Sequence, residues 1–251
     1  MKTRIILCGA CGKMGGNVLS MLREDEGAEA VCGVDAYPRE IGLTVYPSFK
    51  DVKEEADVII DFSSADNLIE RLEFAKTHGI GSVLASTGFS PADLQMIDAY
   101  SKEIAIFRTA NLSLGVNLMQ ALVKAAAEVL GDAFDVEIIE KHHNLKKDAP
   151  SGTALMLADS VNEAFENAKT LCNGREGIVG ARTKNEIGMH AVRGGTIVGE
   201  HEVMFAGEDE IITISHSARS KRVFAAGAIR AAKFLKGKAA GMYEMKHLLN
   251  E

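Results

Sequence analysis

The sequence predicts a two-domain α/β protein: a doubly wound parallel sheet, interrupted by an inserted α+β domain with a mixed sheet. Three observations carry this. Short, strongly apolar runs alternate with helix-spaced segments through the first ~110 residues, the pattern of strands buried on both faces. The first run ends in a glycine-rich turn that opens a helix. Beyond about residue 112 the pattern changes, and the strands over 197–206 and 210–217 follow one another without a helix between them, which calls for a second sheet.

Residues 4–8 (RIILC) read as the first strand, and residues 14–22 as a helix with Met14, Val18, Met21 and Leu22 at helical spacing. Residues 28–35 and 57–63 (DVIIDFS) are the next two strands, followed by a helix over 67–78. Residues 82–87 form a strand, 91–102 a helix opened by Ser90-Pro91, and 104–110 a further strand. Residues 114–130 then make a long helix, with Leu118, Leu122, Ala125, Ala126 and Val129 as the expected packed face. A strand over 135–143 leads to a helix over 151–168. Residues 197–206 and 210–217 form a hairpin turned by Gly207-Glu208-Asp209, and 221–235 is a helix expected to return to the first domain. The division expected is 1–111 with 221–251 for the dinucleotide-binding domain and 112–220 for the substrate domain.

The composition narrows the function classes. The chain has 251 residues and a formal net charge of −7, which disfavours nucleic acid as a partner. No run approaches the ~20 apolar residues of a membrane span. MKTRIILC imitates a signal peptide briefly but turns glycine-rich at once. Four cysteines build no disulfide framework, so a reducing cytoplasm is expected. Adjacent histidines are poor metal-ligand spacing, and no cysteine or carboxylate cluster completes a site, so no metal is expected.

Two motifs carry chemistry. Gly9, Ala10, Cys11, Gly12, Lys13, Met14 and Gly15 spell G-x-x-G-x-x-G between the first strand and first helix. Glycines let the backbone approach a pyrophosphate, and the helix start supplies N–H groups and positive dipole. Asp35 ends the second strand, roughly 20 residues further on, where an acid can accept hydrogen bonds from an adenosine ribose. Together these predict a Rossmann-type nucleotide domain. Cys8 and Cys11 form C-x-x-C, but a disulfide there would distort the phosphate-binding turn, so two small residues in a tight turn is the better reading.

The second motif is residues 140–155, EKHHNLKKDAPSGTAL, a basic cluster in an acidic chain. Ser151, Gly152 and Thr153 open a helix and offer backbone N–H groups and two hydroxyls, an anion site. His142, His143, Lys146 and Lys147 arrive from the preceding strand and loop. They suit a small carboxylate-bearing molecule and can donate protons. Strand neighbours point to opposite faces, so only one of the two histidines faces a ligand unless the strand has ended. Lys147 reads as a solvated charge. Asp148 reads as a turn residue or a salt-bridge partner. His190, His201 and His216 read as structural or minor. A different carboxylate reductase, or a nucleotide sensor without turnover, would share the glycine loop.

The sequence resembles the 4-hydroxy-tetrahydrodipicolinate reductase (dihydrodipicolinate reductase) family nearly end to end. Residues 140–154 resemble the family's E-x-H-H-x-x-K-x-D-A-P-S-G-T-A signature. RGGTIVGEHEVMFAG, FAAGAIRAA, ASTGF and ANLSLGVN are also similar to family segments. The resemblance implies that His142 is the acid/base and Lys146 the proton donor. It implies that His143 and the Gly152-Thr153 backbone hold substrate carboxylates. Ala85, Ser86 and Thr87, with Thr109, Ala110, Asn111 and Leu112, would line the nucleotide beside the glycine turn and Asp35. It further implies NADH- or NADPH-dependent reduction of a cyclic dicarboxylate imine and a homotetramer built through the second domain's sheet. Many relatives follow the acid of the second strand with arginine. Here Asp35 is followed by Ala36-Tyr37-Pro38, with Arg39 beyond, so NADH is the expected preference, although Lys13 or Arg39 could reach a 2′-phosphate. ASTG stands where relatives often carry GTTG, a small departure.

Overall fold

A computed structural model describes residues 1–250. In chain order the strands are β1 (Thr3–Cys8), β2 (Ala28–Val34), β3 (Val45–Tyr46), β4 (Val58–Asp61), β5 (Gly81–Leu84), β6 (Ala105–Arg108), β7 (Asp135–His142), β8 (Thr170–Asn173), β9 (Glu186–Arg193), β10 (Gly199–Ala206), β11 (Ile211–Ala218) and β12 (Gly241–Tyr243). The helices are α1 (Lys13–Leu22), α2 (Leu68–His78), α3 (Pro91–Ser101), α4 (Leu114–Leu130), α5 (Gly152–Glu163), α6 (Arg222–Leu235) and α7 (Met245–Leu249). The chain forms two compact units: Met1–Ser113 with the chain from Lys221 onward, and Leu114–Ser220.

The first unit is a parallel sheet in the order β12-β6-β5-β4-β1-β2-β3. Its central strands are buried along their whole length, which is why they read as continuous apolar runs. From β1 the chain passes to β2 on one side, while β4 pairs on the other. Such a reversal leaves a crevice at the carboxyl ends of the strands. A cavity of about 540 Å³ lies there, lined among others by Gly9, Gly12, Asp35, Phe62 and Ser63. Ser90 and Asp93 form a capping box ahead of Pro91, and Gly79 in the left-handed conformation ends α2. Helix α6 packs on β4, β5, β6 and α1. Gly227 is required there, because a Cβ would fall 1.7 Å from the Leu112 carbonyl oxygen.

The second unit is a mixed sheet, β11-β10-β7-β9-β8, with β7 antiparallel to β10 and parallel to β9. Burial alternates strictly along β7 and β10. One face, with Val136, Ile138, Val203 and Phe205, packs against Met119, Val123, Leu157 and Val161 of α4 and α5. The expected packed face of α4 is thereby corrected. Leu118, Leu122 and Val129 are 53, 47 and 85 % exposed. Val116, Met119, Val123 and Ala127 are the buried stripe; Ala126 lies at its margin and Ala125 outside it. Residues 114–133 are long and apolar enough to cross a membrane by length and composition, contrary to the sequence reading, but the buried stripe packs in this core.

Helix α5 also ends earlier than its pattern suggests. Glu166 and Asn167 adopt positive φ, and the Asn162 side chain bonds both the N–H and carbonyl of Lys169, turning the chain back. Strands β3, β8 and β12 and helix α7 carry too short a pattern to be assigned as elements from sequence, and β9 forms where the stretch around His190 reads as strand-like.

The other sheet face carries an ion cluster. Glu137 accepts from Arg175 Nη1 and Nη2 (3.0 and 2.9 Å), Arg182 Nε (2.9 Å) and His190 Nε2 (2.7 Å). Gly188 faces it across β9, where a Cβ would meet Glu137 Oε2 at 1.8 Å. Burial pushes this carboxyl up, but Arg175, His190 and Arg182 outweigh it and hold it at about 2. A pKa depressed on folding gives stability above the unfolded value, lost as pH falls through the folded one. The thermal midpoint is therefore expected to fall between about pH 4.5 and about pH 2, and less steeply in Glu137→Gln. Identical slopes in thermal melts would remove Glu137 as a cause.

Candidate functional site

The glycine turn sits at the end of β1. Gly9 has φ +74°, and a Cβ on it would lie 2.9 Å from the Phe62 carbonyl carbon and Ser63 nitrogen. Gly12 caps α1 with no side-chain cap, and no acid occupies the first turn, so the helix start stays electropositive. Ala10 is buried and Lys13 is exposed, while Cys11 and Met14 are half-buried. Asp35 Oδ2 accepts from the Cys11 N–H (2.9 Å) and Oδ1 from the Tyr37 N–H (3.0 Å). The acid thus also splints the turn, and each oxygen keeps a lone pair. The Arg39 guanidinium donates to the Cys11 carbonyl, which brings a cation to the same turn. A turn that only glycine can close, ahead of an electropositive helix start and beside an acid, fits a dinucleotide.

Behind the turn, Asp61 is fully buried. It accepts from the Ser63 N–H and hydroxyl (2.9 and 2.6 Å) and the Ser86 hydroxyl (2.9 Å), and pairs with Arg71 Nε at 3.0 Å. Ser86 therefore spends its hydroxyl on the scaffold. Ala85 is held by its N–H to the Asp61 carbonyl, and Thr87 is exposed. After β6, Thr109 donates to the Asn111 carbonyl and Asn111 Oδ1 accepts from Ser113 N–H. Ala110 and Leu112 complete this segment, which Gly227 contacts through Leu112. Both cysteines of the C-x-x-C are thiols; burial, and after it Asp61, push the Cys8 thiol far up, which opposes a redox role.

The second site is built from β7, the loop after it and the start of α5. Glu140 and His142 alternate onto the helix-packed face of β7. Strand β7 ends at His142, so His143 is released from strict alternation, and its Nδ1 is buried without a partner among the described residues. Lys146 Nζ pairs with Asp148 Oδ1 at 2.8 Å, while Lys147 is exposed, as its sequence reading expects. Ser151 caps α5, its hydroxyl accepting from the Ala154 N–H (3.2 Å), and places Gly152 and Thr153 in the first turn. Beneath them Glu140 accepts from His142 Nδ1 (2.6 Å), the Ser151 N–H (3.0 Å) and both Arg193 terminal nitrogens (2.8 and 2.7 Å). His201 Nε2 lies 3.1 Å from the Ser151 hydroxyl, and its ring meets that of His142 edge-on at 5.2 Å. Burial, then His142, push His201 down to about 4, so it is neutral at pH 7. Gly199 keeps His142 clear: a Cβ there would stand 3.1 Å from Nε2.

Sequence reasoning missed Glu140, Arg193 and His201. Glu140 had a signal, since it stands two residues before His142 on one strand and must share its face. Arg193 had none, because it comes from β9, 53 residues away. His201, which reads as structural or minor, packs into this cluster against Ser151 and His142.

The family models and the curated relatives agree on one family. Residues 3–112 match the family model for the dihydrodipicolinate reductase N-terminus and residues 115–249 that for its C-terminus. A 4-hydroxy-tetrahydrodipicolinate reductase of Caldanaerobacter subterraneus subsp. tengcongensis is 50 % identical over all of both chains. The enzyme of that name from Clostridium novyi is 44 % identical over 98 % of each. The solved structure of a dipicolinate-bound dihydrodipicolinate reductase from Paenisporosarcina sp. TG-14 superposes with a TM-score of 0.77 at 24 % identity, covering 97 % of this chain and 98 % of that one.

Proposed function

This chain belongs to the dihydrodipicolinate reductase family, and on that premise we propose that it reduces 4-hydroxy-tetrahydrodipicolinate (dihydrodipicolinate) to tetrahydrodipicolinate with a pyridine nucleotide, with loss of water when the hydroxylated form is used, in lysine and diaminopimelate biosynthesis. The observation that carries the reading is the convergence of His142 and the Lys146 loop on the start of α5, fastened to the Glu140 carboxylate directly or, for the loop, through Arg193. The nucleotide, held by the residue 9–14 turn, Asp35 and the segments 85–87 and 109–112, supplies hydride when bound. The chain's own groups supply binding and protons. His143 and the Gly152 and Thr153 N–H groups hold the dicarboxylate. Charge develops on the ring nitrogen as the conjugated imine is reduced. The Lys146 ammonium stabilises it and delivers a proton, with His142 as acid/base.

NADH is the preferred cofactor in this proposal, since Asp35 disfavours a 2′-phosphate. Arg39 lies close enough to the same turn to make NADPH usable. Arg39→Ala is expected to lower kcat/KM for NADPH about tenfold more than for NADH, the worth of one charge-assisted contact. Equal losses with both cofactors would take Arg39 out of the specificity argument. The assembly proposed is a cytoplasmic homotetramer joined through the second unit's sheet, supported by the exposed Ile211 on its edge strand. The deciding experiment condenses aspartate semialdehyde with pyruvate using the preceding enzyme, then adds this protein with NADH or NADPH. Oxidation that depends on the condensed product is expected. Nucleotide binding without oxidation would overturn the reading.

A further inference from the structure

We propose that Glu140 is the positioning residue of this site. Its carboxylate fixes the proton of His142 on Nδ1, so that Nε2 is the working nitrogen, and the same carboxylate locks the Lys146 loop and the start of α5 around it. The proposal takes from the reductase reading only what His142 does, not how it is held.

Glu140 is 1 % exposed and accepts four hydrogen bonds from three directions. Burial pushes its carboxyl up, and Arg193, then His142, more than reverse this and hold it below the usual range. An ionised carboxylate only accepts, so the 2.6 Å contact must have the hydrogen on His142 Nδ1. Any proton His142 exchanges is then on Nε2, the atom that a Cβ at Gly199 would crowd at 3.1 Å.

The other bonds extend the hold. Arg193 Nη2 also donates to the Asp148 carbonyl (2.7 Å), and Asp148 pairs with Lys146. The Gly194 N–H donates to the His142 carbonyl and the Asn144 N–H to the Gly195 carbonyl, so the end of β9 braces both sides of His143. The Ser151 N–H is the third attachment, at the cap of α5. The bland alternative is an ion pair that merely joins β7 to β9, with the histidine incidental. That alternative predicts lost stability and no change in tautomer.

The test uses the full chain with 15N-labelled histidine. Long-range 1H–15N spectra at alkaline pH read the His142 tautomer, assigned by its absence in His142→Gln. The wild type is expected to be protonated on Nδ1; an Nε2-protonated ring overturns the proposal at once. In Glu140→Gln the amide oxygen must turn to Arg193 and its NH2 to the imidazole. The ring is then expected to switch to Nε2–H and turnover to fall at least roughly 100-fold. An unchanged tautomer, or a switched one with unchanged turnover, overturns it. If Glu140→Gln fails to fold, Glu140→Asp keeps the charge but withdraws it, and the Nδ1 proton resonance should move upfield; an unmoved resonance counts against the proposal. A wild type with the expected tautomer and no oxidation of NADH or NADPH that depends on the condensed product would sink the reductase reading and leave the tautomer result standing.

Discussion

Lys146→Ala is expected to cut turnover of the condensed product by about 10²- to 10⁴-fold while NADH affinity hardly changes. The ammonium is held by Asp148 at 2.8 Å, so its charge is placed before substrate arrives. Asp148 is pulled below the usual range by that same lysine. A preplaced cation facing a developing negative charge is worth far more than one recruited from water. The nucleotide turn is untouched by the substitution, so a fluorescence titration with NADH should give the wild-type Kd. Lys146→Arg separates the two parts of the role. Guanidinium keeps the charge and holds its proton too tightly to deliver it. Turnover close to wild type in that variant would mean that Lys146 acts by charge alone, and unchanged turnover in Lys146→Ala would remove it from the mechanism.

The parts legible in sequence are those whose physics is local. An apolar run such as residues 58–60, a Ser-Pro helix start at Ser90 and a glycine turn after β1 each announce themselves within a few residues. The basic cluster was legible for the same reason, because strand, loop and helix cap are contiguous. Helix α4 shows where periodicity stops. It is apolar around most of its surface, so the stripe through Leu118, Leu122 and Val129 is as helix-spaced as the one through Met119, Val123 and Ala127. Only the sheet it packs on chooses between them. Glu140 shows a second limit. Its spacing from His142 puts both on one face of β7, but the sequence does not show Arg193, in a parallel partner strand, which supplies the charge that lets Glu140 stay ionised in the core. The same distance hid the need for Gly188, which answers to Glu137 across the sheet. Local pattern places the chemistry, and non-local pairing sets its protonation.

Gly15→Ala is expected to weaken NADH binding by about 10²- to 10³-fold, the worth of one or two charge-assisted hydrogen bonds. Gly15 lies in the first turn of α1 and is buried. An added Cβ would stand 2.3 Å from the Gly9 carbonyl oxygen, 2.6 Å from that of Ala10 and 2.8 Å from the Ala10 carbonyl carbon. All three are backbone atoms and cannot swing aside as a side-chain tip can. The turn must open, and its N–H groups then no longer converge on a pyrophosphate. Gly16 supplies the control within the same helix. A Cβ there meets nothing within 4 Å, so Gly16→Ala should bind NADH normally. It should also stabilise the fold, by about 0.5–1 kcal/mol, since alanine is the better helix residue. The pair is measured by NADH titration and by thermal unfolding without ligand. Equal Kd values for the two variants would show that the turn tolerates the extra carbon, and the nucleotide would have to be held elsewhere. A large loss in Gly15→Ala alone would tie binding to the closeness of Gly9 and Gly15, which is the one property of this turn that no other residue type can supply.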